Sequence, residues 1–240
     1  MSRIDVALVA RGLFESRAKA QEAVAAGLVF VNGARVKKVS EKVEDDAEIE
    51  ASAPYPWVSR GGVKLAAALK AFGVNVTDKI CLDVGASTGG FTDVLLKGGA
   101  LKIYAVEAGH GQLHSSLKHE PRVVSLEHQD ARLLDADLMP DAPEIIVCDA
   151  SFISLKNLLP PVLKRTAARA ILIALIKPQF EVAKNENKKG IVRDVMLQKR
   201  VCDEIIAMLQ LEGWQLRGIC PSPILGGDGN KEFLICADRL

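Results

Sequence analysis

Four charged residues, Lys64, Asp149, Lys177 and Glu232, stand at positions where they bring no evident local stabilisation. Lys64 falls in the first turn of a helix predicted over 61–72, where a positive charge opposes the helix dipole. Asp149 and Lys177 each follow an apolar run predicted to be a strand, and Glu232 opens the last such run. For any one of these residues, an ordinary salt bridge at a strand end is the alternative.

Taken together, the lysines and carboxylates suit the deprotonation of a weakly acidic hydroxyl. The 2′-hydroxyl of ribose is such a group, because it must lose its proton as it attacks a methyl group. A lysine desolvated between an apolar strand and a second cation can have its pKa lowered toward neutrality and act as the base. Carboxylates at 149 and 232 would position the lysines, and in-line alignment of the reacting atoms would supply much of the rate.

Alternating strands and helices must bring these residues together. Because the carboxyl ends of parallel strands line the ligand crevice of an open sheet, Asp149 and Lys177 should converge. The pattern predicts an α/β fold with a mostly parallel sheet covered on both faces. The last two runs have no helix between them and should form an antiparallel pair at one edge. The runs lie at 79–84, 102–106, 123–126, 144–148, 170–176, 215–219 and 232–237.

A glycine-rich turn, Asp83-Val-Gly-Ala-Ser-Thr-Gly-Gly90, joins the first strand to a helix over 91–97. Glycines there let a ligand approach the backbone, although a tight packing turn is the alternative. The spacing is not G-x-G-x-x-G, which favours S-adenosylmethionine over a dinucleotide because no pyrophosphate has to be held. Glu107 ends the next strand and suits ribose hydroxyls, and Asp130 is placed to meet the adenine. The predicted cofactor-binding residues are Asp83, Gly85, Ala86, Ser87, Thr88, Gly89, Gly90, Phe91, Glu107, Asp130 and Asp149.

The net charge of +1 hides two opposed segments at the start of the chain. The first 40 residues carry seven basic and three acidic side chains, whereas residues 41–50 carry one basic and six acidic ones. Helices over 4–9 and 17–26 and a hairpin around Asn32-Gly33 are predicted here. An uncharged, proline-marked segment, 52–58, is predicted to link a domain over 1–51 to a second over 59–240.

Basic residues cluster on the small domain. Arg17 and Lys19 open its second helix against the dipole, and Arg35 and Lys37 should share one face of the returning strand. We interpret this cluster as a phosphate-binding surface; a solvated basic face is the alternative. The predicted RNA-binding residues are Arg3, Arg17, Lys19, Arg35, Lys37, Lys38 and Arg60.

Motifs in both parts of the chain resemble known families. Ser16-Arg-Ala-Lys-Ala-Gln21 and Gly27-Leu-Val-Phe-Val-Asn-Gly33 resemble the S4 RNA-binding module. Trp57-Val-Ser-Arg-Gly-Gly62, Ser151-Phe-Ile-Ser-Leu155 and Lys177-Pro-Gln-Phe-Glu181 resemble the hemolysin A (TlyA) family. That resemblance implies a Rossmann-like, FtsJ-like methyltransferase fold, S-adenosylmethionine as cofactor and a cytidine 2′-hydroxyl in ribosomal RNA of one or both subunits as target. It also implies that Lys64, Asp149, Lys177 and Glu232 are the catalytic residues.

The sequence also bears on other classes of protein. The chain begins with no cationic leader, contains no apolar run of membrane length, and carries five scattered cysteines without a C-x-x-C pair, so we expect a cytoplasmic protein. His110 and His114 have i,i+4 spacing, but no third ligand follows at a typical distance, and no metal is expected. The alternatives are a secreted membrane-active hemolysin, a non-catalytic RNA-binding protein and a dinucleotide-dependent oxidoreductase.

Overall fold

The structure, a computed structural model, describes residues 1–183, 186 and 190–240. The chain folds into two compact units, Met1–Pro56 and Trp57–Leu240. The limits of the predicted linker, 52–58, stay a prediction.

The first unit packs two helices against short strands. Ser16 begins the second helix with its side chain, which accepts a hydrogen bond from the amide of Lys19. The hairpin turns at Asn32 and Gly33 with φ of 49° and 76°, as a type I′ turn requires. The elements are β1 (Ser2–Arg3), α1 (Ile4–Ala10), α2 (Arg17–Ala25), β2 (Val29–Val31), β3 (Ala34–Arg35), β4 (Lys42–Val43) and β5 (Ile49–Ala51).

Two features of this unit differ from the sequence-based expectation. β4 and β5 lie in the acidic segment and were not predicted, because strands this short leave no periodic pattern. The returning strand β3 ends at Arg35, so the prediction that Arg35 and Lys37 share a face of that strand is wrong. The amides of Lys37 and Lys38 donate to the Glu41 carboxylate instead of continuing a ladder.

The second unit is built around a seven-stranded sheet in the order β11-β12-β10-β9-β6-β7-β8. β10, β9, β6, β7 and β8 are parallel to one another, and β12 is antiparallel to both β10 and β11. The predicted α/β class, with an antiparallel pair at one edge, is therefore confirmed. The elements are α3 (Gly61–Phe72), β6 (Ile80–Val84), α4 (Gly90–Lys97), β7 (Lys102–Glu107), α5 (Ser115–Lys118), β8 (Val123–Glu127), a 3₁₀ turn (Ala131–Leu133), β9 (Ile145–Cys148), α6 (Leu155–Leu163), β10 (Ala170–Ile176), α7 (Pro178–Glu181), α8 (Val195–Leu211), β11 (Gln215–Pro221) and β12 (Phe233–Arg239).

Helices cover both faces of the sheet, which is why its central strands β9 and β10 are apolar throughout. Neighbouring residues of one strand enter different cores: Cys81 packs with Leu65 of α3, whereas Leu82 packs with Trp214 and the residues of α6 and α8. Because the five strands β10, β9, β6, β7 and β8 are parallel, their carboxyl ends lie together at one edge of the sheet. Glu232 was predicted to open the last strand, but β12 begins one residue later, at Phe233.

Candidate active site

Lys64 and Glu232 form a nearly buried ion pair. Lys64 lies in the first turn of α3, and its Nζ is 2.6 Å from Oε2 of Glu232, just before β12. The Lys64 and Glu232 side chains are only 7% and 3% exposed. Because an isolated buried charge is costly, each of these residues stabilises the other in its buried position.

Asp149 connects this pair to the second lysine. Its Oδ1 lies 2.6 Å from Nζ of Lys177, and its Oδ2 lies 3.8 Å from Nζ of Lys64. Asp149 follows β9 and Lys177 follows β10, and these strands are parallel neighbours whose carboxyl ends meet at the same edge. The four predicted catalytic residues therefore lie in one continuous chain, in the order Glu232, Lys64, Asp149, Lys177.

These four residues line a cavity of about 600 Å³ together with the glycine-rich turn. Gly85 has a φ of +80°, and a Cβ at this position would lie 2.9 Å from Cα of Ala150. Only glycine satisfies both constraints, so bare backbone forms this wall. The predicted cofactor residues on this cavity are Gly85, Ala86, Ser87, Thr88, Gly90, Phe91 and Asp149.

A second cavity of about 640 Å³ contains two further carboxylates predicted for the cofactor, Glu107 and Asp130. Glu107 accepts hydrogen bonds from the amides of Ser87 (3.0 Å) and Gly109 (2.7 Å) and so joins the loops after β6 and β7. Asp130 forms two-oxygen contacts with Arg132, whose hydrogen bonds lower the pKa of Asp130. Gly85, Ser87, Asp149, Ser151 and Phe152 line both cavities.

Two of the predicted cofactor residues, Asp83 and Gly89, line neither cavity. Gly89 packs against Leu113 and Leu117, where a Cβ would lie 2.3 Å from the Leu117 side chain. Asp83 is fully buried, and burial raises its pKa to about 7 although Thr92 Oγ1 donates to its Oδ2 at 2.7 Å. Among the described residues, no group pairs with Oδ1 of Asp83.

Two of the predicted RNA-binding arginines of the small unit, Arg3 and Arg17, contact a buried carboxylate. Arg3 and Arg17 both bind Asp5, which is fully buried, while about half of each arginine side chain remains exposed. Burial alone would raise the pKa of Asp5, but hydrogen bonds from Gln21, Arg3 and Arg17 outweigh it and hold this pKa well below its usual range. The arginines are thereby held in place with guanidinium surface left for a phosphate.

The other predicted RNA-binding residues differ in their surroundings. Lys19 pairs with Glu15 at 2.6 Å, one turn earlier. Arg35, Lys37 and Lys38 are exposed, and the Arg35 guanidinium lies across Gly27. Arg60 belongs to the second unit and lines the first cavity.

Sequence reasoning assigned no role to Ser151, Phe152 or Phe180, which also line the first cavity. Phe152 is 91% exposed and has a φ of +64°, an uncommon conformation for a bulky residue. Its ring lies 5.2 Å from that of Phe180. The available signal was the Ser151-Phe-Ile-Ser motif itself, since an apolar ring directly after polar cavity residues is a candidate for ligand contact.

Two of the histidines stack on each other, the rings of His110 and His128, with centroids 4.6 Å apart. In the part of the chain that the structure describes, no three His, Cys, Asp or Glu residues are grouped as a metal site. Within the same residues, no helix combines the length and apolarity needed to cross a membrane.

Comparison with known proteins identifies the family. The S4 domain family matches residues 2–49, and the FtsJ-like methyltransferase family matches residues 57–239. The chain is 42% identical to Hemolysin A of Brachyspira hyodysenteriae, with 97% of this chain and 98% of that protein covered. It is 40% identical to the 16S/23S rRNA (cytidine-2'-O)-methyltransferase TlyA of Mycobacterium tuberculosis, with 98% and 88% covered. A solved Streptococcus thermophilus structure described as a hemolysin matches with a TM-score of 0.79 and 40% identity, covering 99% of this chain and 88% of that one. The resemblance expected from the motifs is confirmed: the chain belongs to the FtsJ-like methyltransferase family and carries an S4 domain before its methyltransferase domain.

Proposed function

We propose that the protein methylates the 2′-hydroxyl of a cytidine in ribosomal RNA of the small subunit, the large subunit or both. The observation that carries this proposal is the chain of two lysines and two carboxylates on the wall of a cavity next to the glycine-rich turn. The name of the M. tuberculosis relative supports both the reaction and the target class. Ribosomal RNA or ribosomal subunits are the proposed partners, in the cytoplasm.

Lys177 is the proposed base. As a neutral amine, its Nζ would accept the proton of a hydroxyl entering the first cavity. Asp149, whose Oδ1 lies 2.6 Å away, stabilises the ammonium that forms. Lys64 lies on the other side of Asp149, where its pairing with Glu232 holds it in place. Lys177 therefore accepts the proton, while Lys64, Asp149 and Glu232 position Lys177.

The cofactor we propose is S-adenosylmethionine, which when bound supplies an electrophilic methyl group on a sulfonium. The residues of the two cavities suit this molecule. Glu107 offers a carboxylate for ribose hydroxyls and Asp130 one for the adenine side, in the second cavity. Gly85 lines both cavities, and there is no room for a side chain at this position. A ligand can therefore lie directly against the backbone there.

The target nucleotide would enter the first cavity. The exposed Phe152 ring beside Phe180 offers an apolar surface for a base. Arg60 on the same cavity offers a guanidinium for a phosphate. Arg3, Arg17, Lys19, Arg35, Lys37 and Lys38 of the S4 domain are the proposed contacts to the folded RNA around the target.

The test is methyl transfer to ribosomal subunits purified from cells that lack the gene. Lys177→Ala and Asp149→Ala should each abolish transfer while leaving RNA binding intact. Lys70→Ala is the matched control, because Lys70 is an exposed lysine on the same helix as Lys64. Retained transfer in both active-site variants would overturn the proposed roles. Lysis of liposomes that survives in Lys177→Ala would instead favour a membrane-active protein.

A further inference from the structure

The Lys177 ammonium makes three polar contacts. Its Nζ lies 2.6 Å from Asp149 Oδ1, 3.2 Å from the Asp149 carbonyl oxygen and 2.8 Å from Ser151 Oγ. The contacts to the Asp149 carbonyl oxygen and to Ser151 Oγ are hydrogen bonds, whereas Nζ and Asp149 Oδ1 form an ion pair without a hydrogen bond. A neutral amine keeps two N–H donors for these two hydrogen bonds and leaves its lone pair for the proton of an entering hydroxyl.

The three contacts differ in how easily they change. Two come from Asp149, whose amide is fixed by a hydrogen bond to the carbonyl of Val84 in β6. The third comes from the hydroxyl of Ser151, an exposed residue that lines both cavities. A serine hydroxyl turns freely about its C–O bond and can accept from an N–H of either the ammonium or the neutral amine. The Ser151 contact can thus persist in both protonation states of Lys177.

We propose that Ser151 is a positioning residue for the methyl transfer, and that its hydroxyl aims Nζ of Lys177 at the junction of the two cavities. This inference rests on the proposed function, because it assumes that Lys177 is the base. Asp149 holds the amine on the protein side, and Ser151 holds it on the solvent side, where a substrate hydroxyl must approach. Without Ser151, Nζ keeps its carboxylate partner but loses its fixed direction.

Two consequences distinguish this role from that of an ordinary surface serine. The turnover rate should fall while substrate affinity stays, because the hydroxyl acts on the base and not on RNA. The acid limb of the pH–rate profile should move to lower pH, because an ammonium that loses an acceptor is less stable relative to the neutral amine. A serine that is only part of the surface would change neither.

The experiment compares Ser151→Ala, Ser151→Thr and the control Ser125→Ala in the full chain. Ser125 is an exposed serine of β8. Methyl transfer to ribosomal subunits is measured from about pH 6 to about pH 9, on either side of neutrality, giving kcat and KM at each pH. Ser151→Ala should lower kcat about 100-fold, the cost of a misaligned base, and move the acid limb down by about one pH unit. KM should be unchanged, and Ser151→Thr should restore most of the rate because it keeps the hydroxyl.

The outcomes separate this inference from the proposed function. A Ser151→Ala enzyme with the wild-type kcat and pH profile, beside an inactive Lys177→Ala enzyme, overturns the role of Ser151 alone. A loss in Ser151→Ala that Ser151→Thr does not restore also overturns it, because the hydroxyl is then not what matters. Full activity of Lys177→Ala would instead overturn the assignment of the base.

Discussion

A methyl group added at Gly226 should disable the site by displacing one carboxylate. The Cβ of an alanine there would lie 2.6 Å from Oε1 of Glu232 and 2.9 Å from Oδ1 of Asp228, whereas ordinary contacts begin at 3.4 Å. Glu232 would have to retreat by about 1 Å, because Gly226 is held by its amide, which donates to the carbonyl of Asn230 at 2.9 Å. The glycine is thus required for space.

The expected loss follows from the contact that Glu232 makes. Its other carboxylate oxygen lies 2.6 Å from Nζ of Lys64, and this ion pair positions the lysine beside Asp149. A misplacement of about 1 Å in a catalytic arrangement costs about 100-fold in rate. Since the nearest described atoms to the added methyl all belong to the Glu232 and Asp228 side chains, Gly226→Ala should fold normally and lose about 100-fold in kcat.

The assay is single-turnover methyl transfer to ribosomal subunits, with thermal unfolding as the check on folding. Gly227→Ala is the neighbouring comparison and should cost far less, because among the described residues its Cβ would meet only the end of the Arg60 side chain, at 3.4 Å. In a Glu232→Ala background, Gly226→Ala should cost nothing more, since the displaced group is gone. A folded Gly226→Ala enzyme with the wild-type rate, or an equal further loss in the Glu232→Ala background, would refute this reasoning.

Two further predictions concern pH and stability. Burial raises the pKa of Asp83 to about 7, above its unfolded value of about 3.9, so the free energy of unfolding should fall as pH rises from about 4 to 7. Between about pH 5 and pH 8, the free energy of unfolding of Asp83→Asn should therefore rise by about 2–3 kcal/mol relative to that of the wild type, as measured by urea melts. Parallel pH dependences of the two proteins would contradict this. The pKa of Asp5 is instead held below its unfolded value, so its contribution is present above about pH 4 and lost on acidification. Asp5→Asn should speed hydrogen exchange in α1 and α2 of the full chain at about pH 7, by an amount that shrinks toward about pH 3; an equal effect at both pH values would count against the role of the carboxylate.

The site residues that could be predicted from the sequence are those that bring no stability to their own helix or strand. Lys64 at the start of a helix, and Asp149 and Lys177 directly after buried strands, are all unfavourable or unexplained by their own segments. Parallel strands bring their carboxyl ends to one edge, so these residues could be expected to meet without knowledge of any distance. The glycine-rich turn was predictable for a similar reason, since its glycines allow a ligand to approach the backbone closely.

Other features depend on tertiary packing and leave no local signal. The positive φ of Phe152 is not encoded by its neighbours, and the exposure of its ring follows from the path of the loop after β9. Asp130 was expected to face an adenine, and in the structure it pairs with Arg132, two residues later. The sequence alone does not distinguish such a pair from an ordinary solvent-exposed salt bridge. Ser151 acquires significance only because Lys177, 26 residues away, ends beside it.

In the proposed mechanism, the charges of the site give a reason for a second lysine that takes no proton. With both lysines charged, the chain of Glu232, Lys64, Asp149 and Lys177 sums to zero in a region where no member is more than 19% exposed. A base must give up its proton first, and a neutral Lys177 leaves a net charge of −1. Without Lys64 the same step would leave two uncompensated carboxylates in a poorly solvated place, at a cost of several kcal/mol. Lys64 and Lys177 therefore have different proposed roles. Lys64 keeps the net charge of the deprotonated site at −1, a value suited to a sulfonium ligand, and Lys177 receives the proton.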